Sequence, residues 1–352
     1  MVRFEDAMMS GSVLLADGAM GTNLFAMGLA AGEAPERWNL DQPDHIRALH
    51  QSFVDAGSDL FLTNSFGGNR YRLALHGLET DVGRVNRKAA EIARSVADAA
   101  NRKVWVAGSV GPTGELIEPL GKISFGEARN AFSEQIGGLV DGGIDVIWIE
   151  TISAPEELRA ALEAAAAFDV PVCATMSFDM DGRTMMGLTP GTFVTLAQEH
   201  GLDGFGANCG VGVSDLMGSV LAMAAASKTV MADTQAWSGR ADASPLLIAK
   251  ANCGLPRFVD GKIVYDGTPE VMATFAVLAR AAGARIIGGC CGTTAVHVAA
   301  MRQALDDEAE SKNLAVLAVN KALGAMSRGA QGLAEGRADR PRAKRSSKTR
   351  RR

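Results

Sequence analysis

The stretch IDVIWIETISAPEELRAALEAAAAF, residues 144–168, decides the fold. It opens with a short run rich in isoleucine, valine and tryptophan, which reads as a strand. After a brief turn, EELRAALEAAAAF reads as a helix on composition and spacing. The same order recurs along the chain. Strand-like runs stand at SVLLAD (12–17), DLFLTN (59–64), KVWVAG (103–108), PVCATMS (171–177), DGFGAN (203–208), TVMAD (229–233) and ARIIGG (284–289). With 144–150 that makes eight. They are apolar throughout rather than alternating, as parallel strands covered by helices should be. The helices between them carry readable punctuation. In DQPDHIRALHQSFVDAG, Pro43 suits a first helical turn, Ile46, Leu49, Phe53 and Ala56 share one face, and Gly57 ends the helix.

Eight strand–helix units over roughly 310 residues fit a single (β/α)₈ TIM barrel, whose typical size is about 250 residues plus insertions. A doubly wound open sheet is the alternative. The barrel is expected over residues 1–310, with a rim insertion from Thr234 to Pro269 before the last strand. A C-terminal helix is expected at 311–327 and a disordered basic tail at 328–352. That tail holds ten Lys/Arg against two Asp/Glu, so the rest of a chain of net charge −5 is distinctly acidic. An acidic body offers no basic stripe for nucleic acid, and a passive tail is the simpler reading.

The chain of 352 residues is 47% hydrophobic and 21% charged, which suits a folded globule. No apolar run approaches the length of a membrane span. The acidic N-terminus does not suit a secretory signal. Five cysteines, an odd number, fit a reducing compartment, so a cytoplasmic location is expected.

Active sites of this fold sit at the carboxyl ends of the strands. Those ends carry Asp17-Gly18, Thr63-Asn64, Glu150-Thr151, Asn208-Cys209 and Gly289-Cys290-Cys291. Three cysteines thus converge from two strand ends. Adjacent cysteines make a poor disulfide with each other, and a redox pair lacks its CxxC arrangement here. Three thiolates suit Zn²⁺ and leave one tetrahedral position over, an open site of the catalytic kind. Such a complex carries net charge −1 and is a poor activator of water. It is better suited to an incoming thiol, which loses its proton and stays nucleophilic. Thiol alkylation is therefore the expected reaction class. Cys173, inside a strand, reads as core packing. The five histidines fall in helices or turns and are not expected to bind zinc.

The motifs DGAMGT, NSFGGN, GPTGELIEPLG, IET, ANCG and GGCCGTT together resemble the homocysteine S-methyltransferases, across roughly residues 10–305. The resemblance implies zinc on Cys209, Cys290 and Cys291, with the homocysteine sulfur as fourth ligand. It implies that Asp17 and Glu150 hold the homocysteine amino group, and that Gly18 and Thr63 contact its amino-acid end. The local alternatives are a turn cap for Asp17 and a barrel salt bridge for Glu150. Asn208 is expected to orient its loop. Cys253 departs from the family's NAGLP-like segment. It is read as a spectator thiol, the alternative being a fourth ligand in the absence of substrate.

The methyl donor stays open between a betaine-like onium compound and methylcobalamin on a partner corrinoid protein. An onium site needs an aromatic box, and only 5% of the chain is aromatic, with Trp38, Phe66 and Trp237 as candidates. A non-catalytic zinc-binding barrel that recruits partners through its tail is the competing reading.

Overall fold

The computed structural model describes residues 4, 11–179, 181–234, 245–259, 262–307 and 316–337. Strands β1 (Leu14–Leu15), β2 (Leu60–Leu62), β3 (Trp105–Val110), β4 (Val146–Ile152), β5 (Val172–Met176), β6 (Gly204–Cys209) and β7 (Leu246–Ala251) precede a hairpin of β8 (Pro256–Val259) and β9 (Lys262–Tyr265). The last barrel strand, β10, is Ile286–Gly289. One parallel sheet of eight strands runs in the order β1-β10-β7-β6-β5-β4-β3-β2. Its ends meet: Asp59 N donates to Leu15 O at 2.6 Å, and Leu62 N to the Asp17 carboxylate Oδ2 at 2.9 Å. The architecture is a (β/α)₈ barrel, as the recurring strand–helix order predicts.

Alternate strand residues separate two cores. Leu14, Leu60, Leu62, Trp105, Ala107, Val146, Trp148, Cys173, Leu246, Ile248 and Ile286 pack inside the cylinder. Their neighbours Leu15, Ile147, Ile149, Phe205, Leu247 and Ile287 pack outward under the helices. Below Asn208, β6 contributes only Gly204 and Gly206 to the interior, because its neighbours lie too close for a side chain. A Cβ on Gly206 would lie 1.9 Å from Ile248 O, and one on Gly204 would lie 2.7 Å from Cys173 Sγ. Cys173 is thus interior packing, as expected. The helix Val82–Ala99 shows the outer layer: Val82, Val85, Ala89, Ile92, Ala93 and Val96 are buried at three- and four-residue spacing. Each large aliphatic side chain so buried stabilises the fold by about 1.5–3 kcal/mol. An aspartate at Ala93 would put an unpaired charge into that layer.

Two boundaries differ from the sequence reading. TVMAD (229–233) is not a strand but the end of the helix Val213–Thr234, since the alanine- and methionine-rich run before it favours helix throughout. The seventh strand is LLIAKA (246–251), inside the stretch the sequence assigns to the rim insertion. The insertion proper therefore shrinks to the segment carrying the β8–β9 hairpin. The C-terminal helix spans Val316–Leu323. A further helix, Arg328–Ala334, stands where the sequence reading places the start of a disordered tail. It folds because its small face docks: Ala330 and Leu333 are buried, Ser327 caps it, and Ser327 N donates to Asp215 at 2.7 Å. Residues 338–352 of that tail lie outside the described residues.

Candidate metal and substrate site

The floor of the site is the top layer of the barrel interior. Stepping by two along the inward face gives Trp105, Ala107, Ser109 on β3 and Val146, Trp148, Glu150 on β4. On β6 it gives Gly204, Gly206, Asn208, and on β7 Leu246, Ile248, Lys250. Each strand is apolar or glycine for two steps and polar at the third. Ser109, Glu150, Asn208 and Lys250 are all buried. Lys250, only 2% exposed, pairs with Asp17 Oδ1 at 2.5 Å and lies 5.9 Å from the centre of the Trp148 ring. The other Asp17 oxygen accepts Leu62 N–H. Ser109 Oγ donates to Glu150 Oε1 at 2.5 Å, and Ser109 N donates to Thr63 Oγ1 at 3.0 Å. Burial pushes both carboxyls above their ordinary range, because the charged form loses its water, while Lys250 pulls each back down.

Three sulfurs form the facing wall. The Sγ atoms of Cys209, Cys290 and Cys291 all lie within 4.8 Å of one another. Backbone contacts fix the cysteine pair: Cys290 N donates to Ala251 O at 2.6 Å, Cys291 N to Asn252 Oδ1 at 3.0 Å, and Cys253 N to Cys291 O at 2.8 Å. Asn252 also donates to Gly210 O at 2.8 Å, so one amide ties both cysteine loops together. Gly292, at φ +80°, turns the chain beneath Tyr265, where a Cβ would lie 2.4 Å from the ring.

Cys209 (φ 60°) and Thr151 (φ 63°) hold left-handed backbone, which costs a non-glycine residue about 1–3 kcal/mol. The side chain of Asn208, which precedes Cys209, holds Thr151 in place. Asn208 accepts from Thr151 N at 3.1 Å and donates to Thr151 Oγ1 at 2.7 Å. Asn208 thus orients the loop, as the sequence suggests.

The donor set fits a soft divalent cation. In a tetrahedron with Zn–S bonds of about 2.3 Å, sulfurs stand about 3.8 Å apart, inside the observed spread. Without a cation the thiols resist ionising together. Hydrogen bonding to Cys290 leads the causes that push Cys209 up to about 12, and hydrogen bonding to Cys209 leads those that push Cys291 up to about 11. Burial adds to both. A cation would compensate the charge that these residues otherwise avoid.

A cavity of about 530 Å³ joins the two walls. It brings together Asp17, Gly18, Thr63, Glu150, Cys209, Cys290 and Cys291, with Phe66 at its edge. Trp38 is not among its lining residues and stacks near His45, with ring centres 5.0 Å apart. Trp237 lies outside the described residues. Cys253 points elsewhere, its Sγ donating to Gly267 O at 3.3 Å. None of the histidines joins the cysteine cluster among the described residues.

Sequence reasoning missed Lys250, Asn252, Ser109 and Tyr265. Lys250 had a legible signal: a lysine inside the apolar run LLIAKA demands a buried partner. The competing apolar run at 229–233 obscures it.

The homocysteine S-methyltransferase family model matches residues 14–305. The methionine synthases of Mycobacterium tuberculosis and Mycobacterium leprae are 29% and 27% identical over 306 and 302 residues, covering 82% and 81% of this chain. This chain spans about a quarter of the length of those relatives, 24% in each case. Among solved structures, the metallated homocysteine methyltransferase MmuM from Escherichia coli shares the fold with a TM-score of 0.67 and 22% identity. The match covers 84% of this chain and 96% of that one. A methyltransferase from Methanosarcina mazei shares it at 0.54 and 12% identity, covering 86% and 96%. With its fold, its cysteine cluster and a match spanning 14–305, the chain belongs to the homocysteine S-methyltransferase family of methyltransferase enzymes.

Proposed function

We propose that this protein makes methionine by transferring a methyl group to the sulfur of homocysteine, with zinc held by Cys209, Cys290 and Cys291. The observation that carries this reading is the pairing of walls: three sulfurs on one side of a cavity and a buried carboxylate cluster on the other. Bound there, zinc would supply a place for a substrate sulfur and favour its thiolate form at neutral pH.

The chain's own residues do the remaining work. Asp17 and Glu150 make the far end of the cavity acidic, which suits an ammonium group. Thr63 and the narrow passage at Gly18 border the acceptor's amino-acid end. A Cβ on Gly18 would lie 2.5 Å from Thr293 O, so only glycine fits this wall. Asn208 and Asn252 hold the sulfurs in place from behind. That support is what keeps a reacting group within the small error that catalysis tolerates.

The donor is a betaine-like onium compound or methylcobalamin on a partner corrinoid protein. Among the described residues, Phe25 and Phe66 are the carbocyclic aromatic side chains lining the cavity. Two rings do not enclose a quaternary ammonium, so the protein-borne donor belongs in the same assay.

The test combines metal analysis with cobalt substitution. Stoichiometric metal and a visible spectrum that shifts on adding homocysteine support the proposal. A donor panel of betaine, S-methylmethionine and methylcobalamin, with and without a corrinoid protein, then identifies the methyl source. Metal-loaded protein indifferent to homocysteine would instead support a non-catalytic zinc barrel. Among the described residues, no helix is long and apolar enough to cross a membrane.

A further inference from the structure

We propose that the C-terminal extension, residues 316–337, positions Cys209 in the metal site by clamping its loop from two sides. This rests on the reading of Cys209 as a metal ligand. The extension itself lies beyond the 14–305 stretch that the family model matches.

The loop needs such help. Cys209, Gly210 and Gly212 stand at φ 60°, 73° and 132°, so three of four consecutive residues hold left-handed backbone. Cys209, with its Cβ, bears a cost that the glycines do not. Gly210 N donates to Ser177 Oγ at 3.2 Å, and a Cβ on Gly210 would lie 2.9 Å from Phe178 O. The shape of the loop is thus moulded on the residues that follow β5.

The extension holds those residues from outside. A Cβ on Gly182 would lie 2.1 Å from Leu333 Cδ1, and one on Gly329 would lie 2.4 Å from the Asp181 backbone. The helix Arg328–Ala334 therefore sits directly on the loop after β5. That loop carries the contact inward. Asp179 N donates to Arg183 O at 2.8 Å, Thr184 N to Leu188 O at 2.9 Å, and Thr184 Oγ1 to Ser153 O at 2.7 Å.

The same extension grips the chain on the other side of Cys209. There the helix Val213–Thr234 begins. Ser214 Oγ donates to Leu323 O at 2.7 Å, and the Asp215 carboxylate accepts Ser327 N at 2.7 Å. A Cβ on Gly218 would lie 3.0 Å from that of Ala330. One segment thus braces both neighbours of a strained loop, while Asn208 and Asn252 hold it from within. Leu333 and Asp215 are positioning residues, which fix the sulfur by fixing the backbone that carries it.

The test is zinc affinity by competition with a chelator, together with the visible spectrum of the cobalt-substituted protein, which reads the arrangement of the sulfurs. Leu333→Ala and Asp215→Ala are each expected to weaken zinc by about threefold or more, and the double variant by about tenfold. The cobalt bands of the double variant should shift as well. Asp145→Ala, which strips the acceptor from Val106 N–H at the opposite end of the barrel, controls for general loss of stability. It should leave both readouts at wild-type values. Wild-type zinc affinity and spectrum in the double variant, or equal losses in Asp145→Ala, overturn the proposal. Should the double variant fail to fold, Leu333→Ala decides alone by the same criteria. Metal-loaded wild type with unaffected variants overturns this inference but leaves Cys209 as a ligand. Wild-type protein that binds no stoichiometric metal overturns the metal reading and this inference with it.

Discussion

The two ends of the barrel use the same residue types for opposite purposes. At the amino ends of β2, β4 and β6 stand Asp59, Asp145 and Asp203. Each accepts the backbone N–H of the preceding strand: Leu15 at 2.8 Å, Val106 at 2.7 Å and Val172 at 2.8 Å. Arginines complete the arrangement, with Arg94 on Asp145 at 2.8 Å and Arg302 on Asp59 at 3.2 Å. At the carboxyl ends, Asp17 and Glu150 instead line a cavity together with three sulfurs. Charge at the lower end closes the cylinder. Charge at the upper end faces a cavity, at the end of the barrel where this fold carries its chemistry.

Substitutions at each end test the division. Cys290→Ser should lose stoichiometric metal and homocysteine turnover together, while circular dichroism stays unchanged. The drop in metal affinity should exceed the roughly 10–100-fold typical of an outer-sphere partner. Retained metal would break the comparison outright. Asn252→Ala removes the amide that joins the two cysteine loops, and about a 10–100-fold weakening of metal is expected, read by competition with a chelator. At the lower end, Asp145→Ala should cost about 2 kcal/mol in chemical denaturation, because it strips a charged acceptor from Val106 N–H and Arg94. Its KM for homocysteine should not move. A changed KM would show that the ends are coupled.

The smallest effect belongs to the wall between them. His50 is buried against Phe61, with ring centres 4.7 Å apart and neither ring nitrogen hydrogen-bonded. Burial lowers its pKa to about 3. The folded form therefore binds fewer protons than the unfolded form below pH 6.5, so stability is full above that value and falls with pH toward the folded pKa. Between pH 7 and 5.5 this amounts to about 1 kcal/mol. His50→Phe should remove that part of the slope, and an unaltered slope in denaturation curves would contradict it.

Some of this was written in the chain in plain order. Strand-like runs followed by alanine-rich helices imply a barrel, since parallel strands need covered crossovers. The pair Cys290–Cys291 and the strand-end Cys209 pointed to one ion, because the fold gathers strand ends at one rim. The seventh strand was misplaced because TVMAD and LLIAKA are both short apolar runs, and local preference does not choose between them. Neighbouring strands do: LLIAKA pairs with β6 on one side and β10 on the other. With that error went Lys250 and Asn252, although the two-residue period would have aligned Lys250 with Ser109, Glu150 and Asn208.

By itself, then, the sequence determined the strand–helix order, the cysteines that cluster and the acidic residues at the rim, because these follow from periodicity and residue chemistry along the chain. Only the tertiary structure decided how the buried Asp17 carboxylate is partnered. That choice depends on a lysine 233 positions from Asp17, and a contact across such a separation exists only once the barrel has closed.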